Sequence, residues 1–178
     1  AAVALLMVLL TGLLGRRLLG PRVGLAAASL SAVSPFAIYY AHEARMYALL
    51  GALAAASTYA AFGLWEAMPG EDGGHPARIA PALGAYVAIN AMGLYTHYAF
   101  AFVVVSHNAF FGLTWLVGLV RGHVRWKSAG LWSAAQVGAG LLYLPWVQTA
   151  LDAMGWSSAG APYSMASAVW NVVRVLTV

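Results

Sequence analysis

The sequence contains no cysteine and few charged residues. Charged side chains make up 8% of its 178 residues, and only five residues are acidic. The absence of cysteine excludes a disulfide framework and thiol catalysis. The scarcity of charge excludes an ordinary soluble domain, in which about 25% of residues are charged. Walker-type phosphate loops and the GxGxxG, HExxH and GxSxG patterns are also absent, which argues weakly against nucleotide-driven transport and hydrolase chemistry.

Apolar residues dominate the chain instead, at 62% of the total. They form several near-continuous stretches of roughly 17–22 residues, the length that a membrane-crossing helix needs. The sequence therefore predicts an all-α fold, a polytopic transmembrane helix bundle of about six spans. The predicted spans are residues 1–15, 23–40, 47–65, 80–96, 99–120 and 131–149, followed by a tail over residues 150–178. We expect residues 1–178 to form part of one transmembrane domain of a longer protein.

Basic residues in the short connections predict the orientation of these spans. The net charge of +4 comes from loop residues and is not the footprint of a nucleic-acid-binding protein, so we expect no nucleic-acid partner. The residues that mark the first and fifth loops as cytoplasmic are Arg16, Arg17, Arg22, Arg121, Arg125 and Lys127. Strict alternation then places the second loop, the fourth loop and the tail on the external side of the membrane.

The segment PFAIYYAHEARMYALL, residues 35–50, places a histidine, a glutamate and an arginine between two apolar spans: His42, Glu43 and Arg45. Charge at such a position is costly and is often functional. The guanidinium of Arg45 offers a fixed fork of donors that suits a phosphate or a carboxylate. Glu43 and Arg45 are two residues apart, so on a helix they would point away from each other. The alternative is that Arg45 reaches lipid phosphates and Glu43 is simply solvated.

A second candidate is His97, in the sequence GLYTHYAF at a predicted external turn. It could bind an anionic head group, or a metal ion together with His42 and Glu43. No local spacing supports the metal site, so we expect no resident cofactor, with a divalent metal left open. The flanking residues Tyr95 and Tyr98 are also explained as interfacial anchors. Four more polar residues lie within predicted spans, where interhelical hydrogen bonds are the usual explanation: Asn90, His107, Asn108 and Gln136.

The run LLGRRLLGPRVGLAAASLSAVSPFAIYYAHEARMYALL resembles the core of bacterial membrane glycosyltransferases of the GT-C class. The resemblance is to the branch that contains protein O-mannosyltransferases and the aminoarabinose transferase of lipid A. The later runs LYTHYAF and LPWVQTALDAM are similar to the same branch and occur in the same order. Together these runs cover roughly residues 5–160.

The resemblance implies an integral-membrane glycosyltransferase with its active face external to the cell membrane. Such an enzyme takes a sugar from a polyprenyl-phosphate donor and passes it to a protein, lipid or glycan acceptor. It is surrounded by membrane lipids. The resemblance implies that Arg45 holds the donor phosphate. The residues implied to line the same site are Tyr40, His42, Glu43, Tyr47, His97 and Tyr98. It also implies that the catalytic base is an acidic residue in a first external loop, which with its preceding span would lie upstream of residue 1.

Two other functions are compatible with these residues. In a multi-span transporter or flippase-like protein, His42, Glu43 and Arg45 would line an external vestibule. That function requires a groove that continues to the cytoplasmic side, and so polar residues on the inner halves of the spans. In the third interpretation the chain is a non-catalytic membrane subunit.

Overall fold

The computed structural model describes residues 2–35, 38–39, 46–69, 75–123 and 126–158, with residues 150–158 described by their backbone alone. The described residues form helices and no strands, which confirms the predicted all-α class. The elements are α1 (Ala2–Leu19), α2 (Pro21–Val33), α3 (Tyr47–Ala67), α4 (Pro76–Thr96), a 3-10 turn (Tyr98–Phe100), α5 (Ala101–Val120) and α6 (Trp126–Ser158). The chain divides into two compact units, Ala1–Leu144 and Pro145–Val178.

Four stretches of helix are long and apolar enough to cross a membrane among the described residues: α1, α3, α4 and the continuous stretch Tyr98–Val120. They correspond to four of the six predicted spans. Helix α2 has 13 residues and is about 20 Å long, which is shorter than the roughly 30 Å hydrocarbon layer. Helix α6 is long enough, but Gln136, Pro145 and Gln148 make it more polar than the other four. It also runs to Ser158, beyond the predicted end at residue 149.

Helices α1 and α2 form a tight hairpin that depends on glycine. Gly20 has a φ of 98°, a conformation that other residues rarely adopt, and Pro21 then begins α2. The predicted loop over residues 16–22 is therefore reduced to one residue. A methyl group on Gly24 would lie 2.7 Å from the carbonyl oxygen of Gly12 and 2.7 Å from Cβ of Arg16. The two backbones can approach this closely only because residue 24 has no side chain.

Long apolar side chains cover the outer surface of the first unit. Leu5 is 71% exposed, Leu25 72% and Phe102 76%. So much exposed apolar surface on helices of this length is incompatible with water as the surrounding solvent and typical of contact with lipid tails. The chain is therefore a membrane protein.

Contacts between helix ends define two ends of the first unit. At one end, Arg17 of α1 pairs with Glu66 of α3, and Ser128 Oγ donates to the carbonyl of Pro69 at 2.7 Å. We call this the basic end, because the described residues of the predicted loops 16–22, 66–80 and 121–130 meet there. At the other end, which we call the tyrosine end, the ring of Tyr47 meets that of His97. This pairing of helix ends agrees with the alternation predicted from the sequence.

Arg17 is more than a solvated loop charge. Its Nη2 and Nε atoms donate to the two carboxylate oxygens of Glu66 at 2.7 and 3.2 Å. Its Nη1 donates to the carbonyl of Tyr59 at 2.9 Å, and its guanidinium lies 4.4 Å from the centre of the Tyr59 ring. A bidentate pair with a cation–π contact holds α1 against α3 at the basic end.

Candidate functional site

The turn at the tyrosine end presents His97 in a defined conformation. Helix α4 ends at Thr96, and the N–H of His97 donates to the carbonyl of Gly93 at 3.1 Å. His97 itself is extended, with φ −163° and ψ 135°. Its Nδ1 accepts a hydrogen bond from the N–H of Ala99 at 3.0 Å and so caps the 3-10 turn. In a neutral imidazole whose Nδ1 is an acceptor, the proton is on Nε2, which makes Nε2 a hydrogen-bond donor.

Two tyrosine rings flank His97. The ring centre of Tyr98 lies 4.4 Å away with an interplanar angle of 30°, and that of Tyr47 lies 6.1 Å away at 44°. Tyr47 is the first residue of α3, whereas His97 and Tyr98 follow α4. The structure therefore brings together three predicted site residues from two segments that are distant in the sequence. His97 is half-buried and Tyr98 is 64% exposed, so the cluster lies at the surface of this end.

The other predicted site residues, Tyr40, His42, Glu43 and Arg45, lie outside the described residues. The metal site suggested from His42, Glu43 and His97 therefore stays a prediction. Within the described part of the chain, no group of three or more potential metal-ligating side chains occurs.

Substitutions of His97 separate the capping role of Nδ1 from the role of Nε2 as a hydrogen-bond donor. An asparagine side-chain oxygen can replace Nδ1 as the acceptor of the Ala99 N–H, but it leaves no donor at the position of Nε2. We expect His97→Asn to keep the thermal stability of the parent in detergent, and His97→Ala to lose about 1 kcal/mol through the missing cap. Thermal unfolding of both variants checks this. Equal destabilisation by the two variants would contradict a capping role.

A chain of hydrogen bonds crosses the interior between α3 and α6, and we call it the polar chain. It consists of the side chains of Thr58, Tyr86, His107, Asn108, Gln136 and Trp132. Its direction follows from its first step. The single hydroxyl proton of Thr58 is donated to the carbonyl of Ala54 at 2.8 Å. The Thr58 oxygen must then accept from Nε2 of His107, 3.1 Å away.

The remaining steps have the same direction. Because Nε2 of His107 carries the proton, Nδ1 accepts from the Tyr86 hydroxyl at 3.4 Å. That hydroxyl accepts from the amide of Gln136 at 3.1 Å. The Gln136 oxygen accepts from Asn108 at 3.2 Å, and the Asn108 oxygen accepts from the indole of Trp132 at 3.0 Å. The chain thus runs in one direction through four helices.

Sequence reasoning found only part of this interior. It singled out Asn90, His107, Asn108 and Gln136, and it predicted interhelical hydrogen bonds for such residues. The structure confirms these bonds, including one from Ser57 to Asn90 at 3.0 Å. The sequence did not point to Thr58, Tyr86 and Trp132 as members of the polar chain. The available signal was that Ser57 and Thr58 are hydroxyl residues within the small-residue run GALAAASTYAA.

Comparison of the chain with protein-family models, with curated proteins and with solved structures finds no match. What the chain does must therefore be inferred from its own residues and from the contacts between its helices. The most informative of these contacts are the rings of Tyr47, His97 and Tyr98 and the hydrogen bonds of the polar chain.

Proposed function

We propose that the chain belongs to an integral-membrane glycosyltransferase that moves a sugar from a polyprenyl-phosphate donor to an acceptor outside the membrane. The observation that carries this proposal is the contact between Tyr47 and His97. It joins the segment PFAIYYAHEARMYALL to the segment LYTHYAF, and these are two of the runs on which the glycosyltransferase resemblance rests. Residues that share a substrate are expected to meet in this way, whereas unrelated interfacial anchors need not.

The proposal places the tyrosine end outside the membrane. The basic end carries Arg16, Arg22 and Lys127, and cytoplasmic loops have an excess of such residues. The tyrosine end then faces the compartment in which a lipid-linked sugar donor would be used. In the full proposal the predicted span over residues 23–40, which includes most of α2, and helix α6 also cross the membrane, which gives six spans.

The proposed reaction needs two kinds of group, one that binds the donor phosphate and one that activates the acceptor hydroxyl. A carboxylate deprotonates the acceptor hydroxyl, whose oxygen bonds to the anomeric carbon as the lipid phosphate departs with the bonding electrons. Positive charge and hydrogen-bond donors stabilise the negative charge that develops on that phosphate. Arg45 supplies the charge, and Tyr47 follows it by two positions, a reach of at most about 7 Å of chain. His97 supplies a donor from Nε2. The resemblance implies that the carboxylate is an acidic residue of a separate external loop.

The proposal is tested by sugar transfer in membranes that contain the full-length protein. A polyprenyl-phosphate donor with a radiolabelled sugar is supplied, and label is followed into water-soluble and lipid acceptors. We expect incorporation that depends on the protein and releases polyprenyl phosphate in equal amount. If labelled sugar or labelled donor crosses the membrane and no glycosidic bond forms, the protein is a transporter or a flippase and the proposal fails.

The transporter alternative gains little from the interior polar residues. A substrate path needs polar groups that are free to bind cargo. The side chains of His107, Asn108 and Gln136 are instead bonded to one another through the polar chain, and His107 uses both of its ring nitrogens. These side chains bind neighbouring helices, and the glycosyltransferase is therefore the favoured proposal.

A further inference from the structure

Helices α3 and α5 are joined at two levels. Both begin at the tyrosine end and run toward the basic end. At the upper level, the Tyr47 ring contacts the ring of His97, which directly precedes the 3-10 turn leading into α5. Further toward the basic end, Thr58, which follows Tyr47 by about three helical turns, bonds to His107, the seventh residue of α5, at 3.1 Å. A single alignment of α3 with the 3-10 turn and α5 therefore makes both contacts.

Apolar packing holds α3 against α5 mainly toward the basic end, where Leu64 is buried and the rings of Phe62 and Trp65 contact that of Phe111. Nearer the tyrosine end, the buried residues of α3 are the small Ala52 and Ser57. These small residues do little to resist sliding along a neighbouring helix. The surrounding lipid is as apolar as the helix faces, so burial itself favours no particular alignment.

The polar chain, in contrast, permits one alignment. Its donors and acceptors are matched one after another from Trp132 to Thr58, and its direction is fixed by the bond from Thr58 to the carbonyl of Ala54. A slide of α3 by one turn would separate Thr58 from His107. The freed imidazole N–H would then lie in an apolar environment without a partner, which is costly.

We infer that the polar chain fixes the register of α3 against α4 and α5, and thereby positions Tyr47 beside His97. In this role Thr58, Tyr86 and His107 are positioning residues, which act on the tyrosine end without touching what binds there. The structural part of the inference stands without the proposed function. Its consequence for catalysis rests on that function.

Residues 1–178 contain no cysteine, so site-directed labelling within them needs no background removal, and any cysteine elsewhere in the full-length protein is first replaced by serine. Nitroxide labels are attached to Leu49→Cys on α3 and Phe102→Cys on α5, two exposed positions near the tyrosine end. The distance distribution between the labels is measured by pulsed electron paramagnetic resonance on the full-length protein in nanodiscs. Thr58→Val removes the hydroxyl at almost constant volume, and Thr58→Ser restores it. Thr114→Val on α5 is the matched control, because the Thr114 hydroxyl bonds to the carbonyl of Phe111 in its own helix.

We expect Thr58→Val to shift or broaden the distance distribution toward displacements of about 5 Å, one helical turn. Thr58→Ser and Thr114→Val should reproduce the parent distribution. Tyr86→Phe, which keeps the ring and removes the hydroxyl between His107 and Gln136, should resemble Thr58→Val. A parent-like distribution in both Thr58→Val and Tyr86→Phe would overturn the inference.

Two further outcomes separate this inference from others. If Thr58→Val and Tyr86→Phe both fail to insert while Thr58→Ser inserts normally, the polar chain determines folding and the positioning role is wrong. If the distances change as expected but no sugar transfer is found for the parent protein, the register role holds and the proposed glycosyltransferase function fails. If transfer is found, Thr58→Val should lower kcat and Thr58→Ser should recover it.

Discussion

Replacing Arg45 with lysine in the full-length protein is expected to lower sugar transfer by at least about 100-fold. Lysine keeps the positive charge but offers a compact ammonium in place of a planar fork, and it cannot bind two phosphate oxygens in the same geometry. The loss should appear mainly in kcat, because charge on the departing phosphate develops in the transition state. Initial rates of transfer from the labelled polyprenyl-phosphate donor give the measurement.

The matched control for this prediction is Arg78→Lys. Arg78 is exposed near the start of α4, at the basic end of the first unit, and its replacement should leave transfer within about twofold of the parent. Both variants should reach the membrane in normal amounts, since each keeps its charge. Normal transfer by Arg45→Lys would show that Arg45 contacts lipid head groups and does not hold the donor.

Replacing Gly93 with alanine is expected to destabilise the tyrosine end by about 1–3 kcal/mol. The new methyl group would overlap the ring of Phe100, which is completely buried. Phe100 ends the 3-10 turn that His97 caps, and the carbonyl of Gly93 accepts the His97 N–H. The substitution should therefore lower thermal stability in detergent and also displace His97.

Two further variants test the cause of this effect. Gly84→Ala is in the same helix, and its methyl group would meet no atom within 4 Å, so it should be neutral or slightly stabilising. Phe100→Leu makes room for the methyl group, and the double variant should be more stable than the sum of the two single effects predicts. Strict additivity would show that the damage arises elsewhere.

The long apolar helices could be predicted from the sequence because lipid imposes a simple rule of length and composition. The predicted start of the third span, Tyr47, is the observed start of α3, and the predicted turn near Thr96–Tyr98 is present. The hairpin at Gly20 was predicted as a longer loop. The sequence places Arg16 and Arg17 in that loop, although both belong to the last turn of α1.

The partners of the polar side chains could not be predicted in the same way. Local sequence shows that His107 is polar within an apolar span, but its bonds depend on residues 21 and 49 positions away, Tyr86 and Thr58. The meeting of Tyr47 with His97 depends likewise on how α3 packs against its neighbours. Hydrophobic periodicity carries no information about such pairings, whereas the resemblance suggested that these residues share a site.

The direction and composition of the polar chain determine whether protons can move along it. A row of hydrogen bonds through a membrane protein can be a leak for protons, which would dissipate the electrochemical gradient. Here the row passes through the side-chain amides of Asn108 and Gln136, which neither take up nor release protons at physiological pH. It ends at the carbonyl of Ala54, a group that cannot pass a proton onward. The polar chain therefore joins four helices without offering protons a continuous path along it.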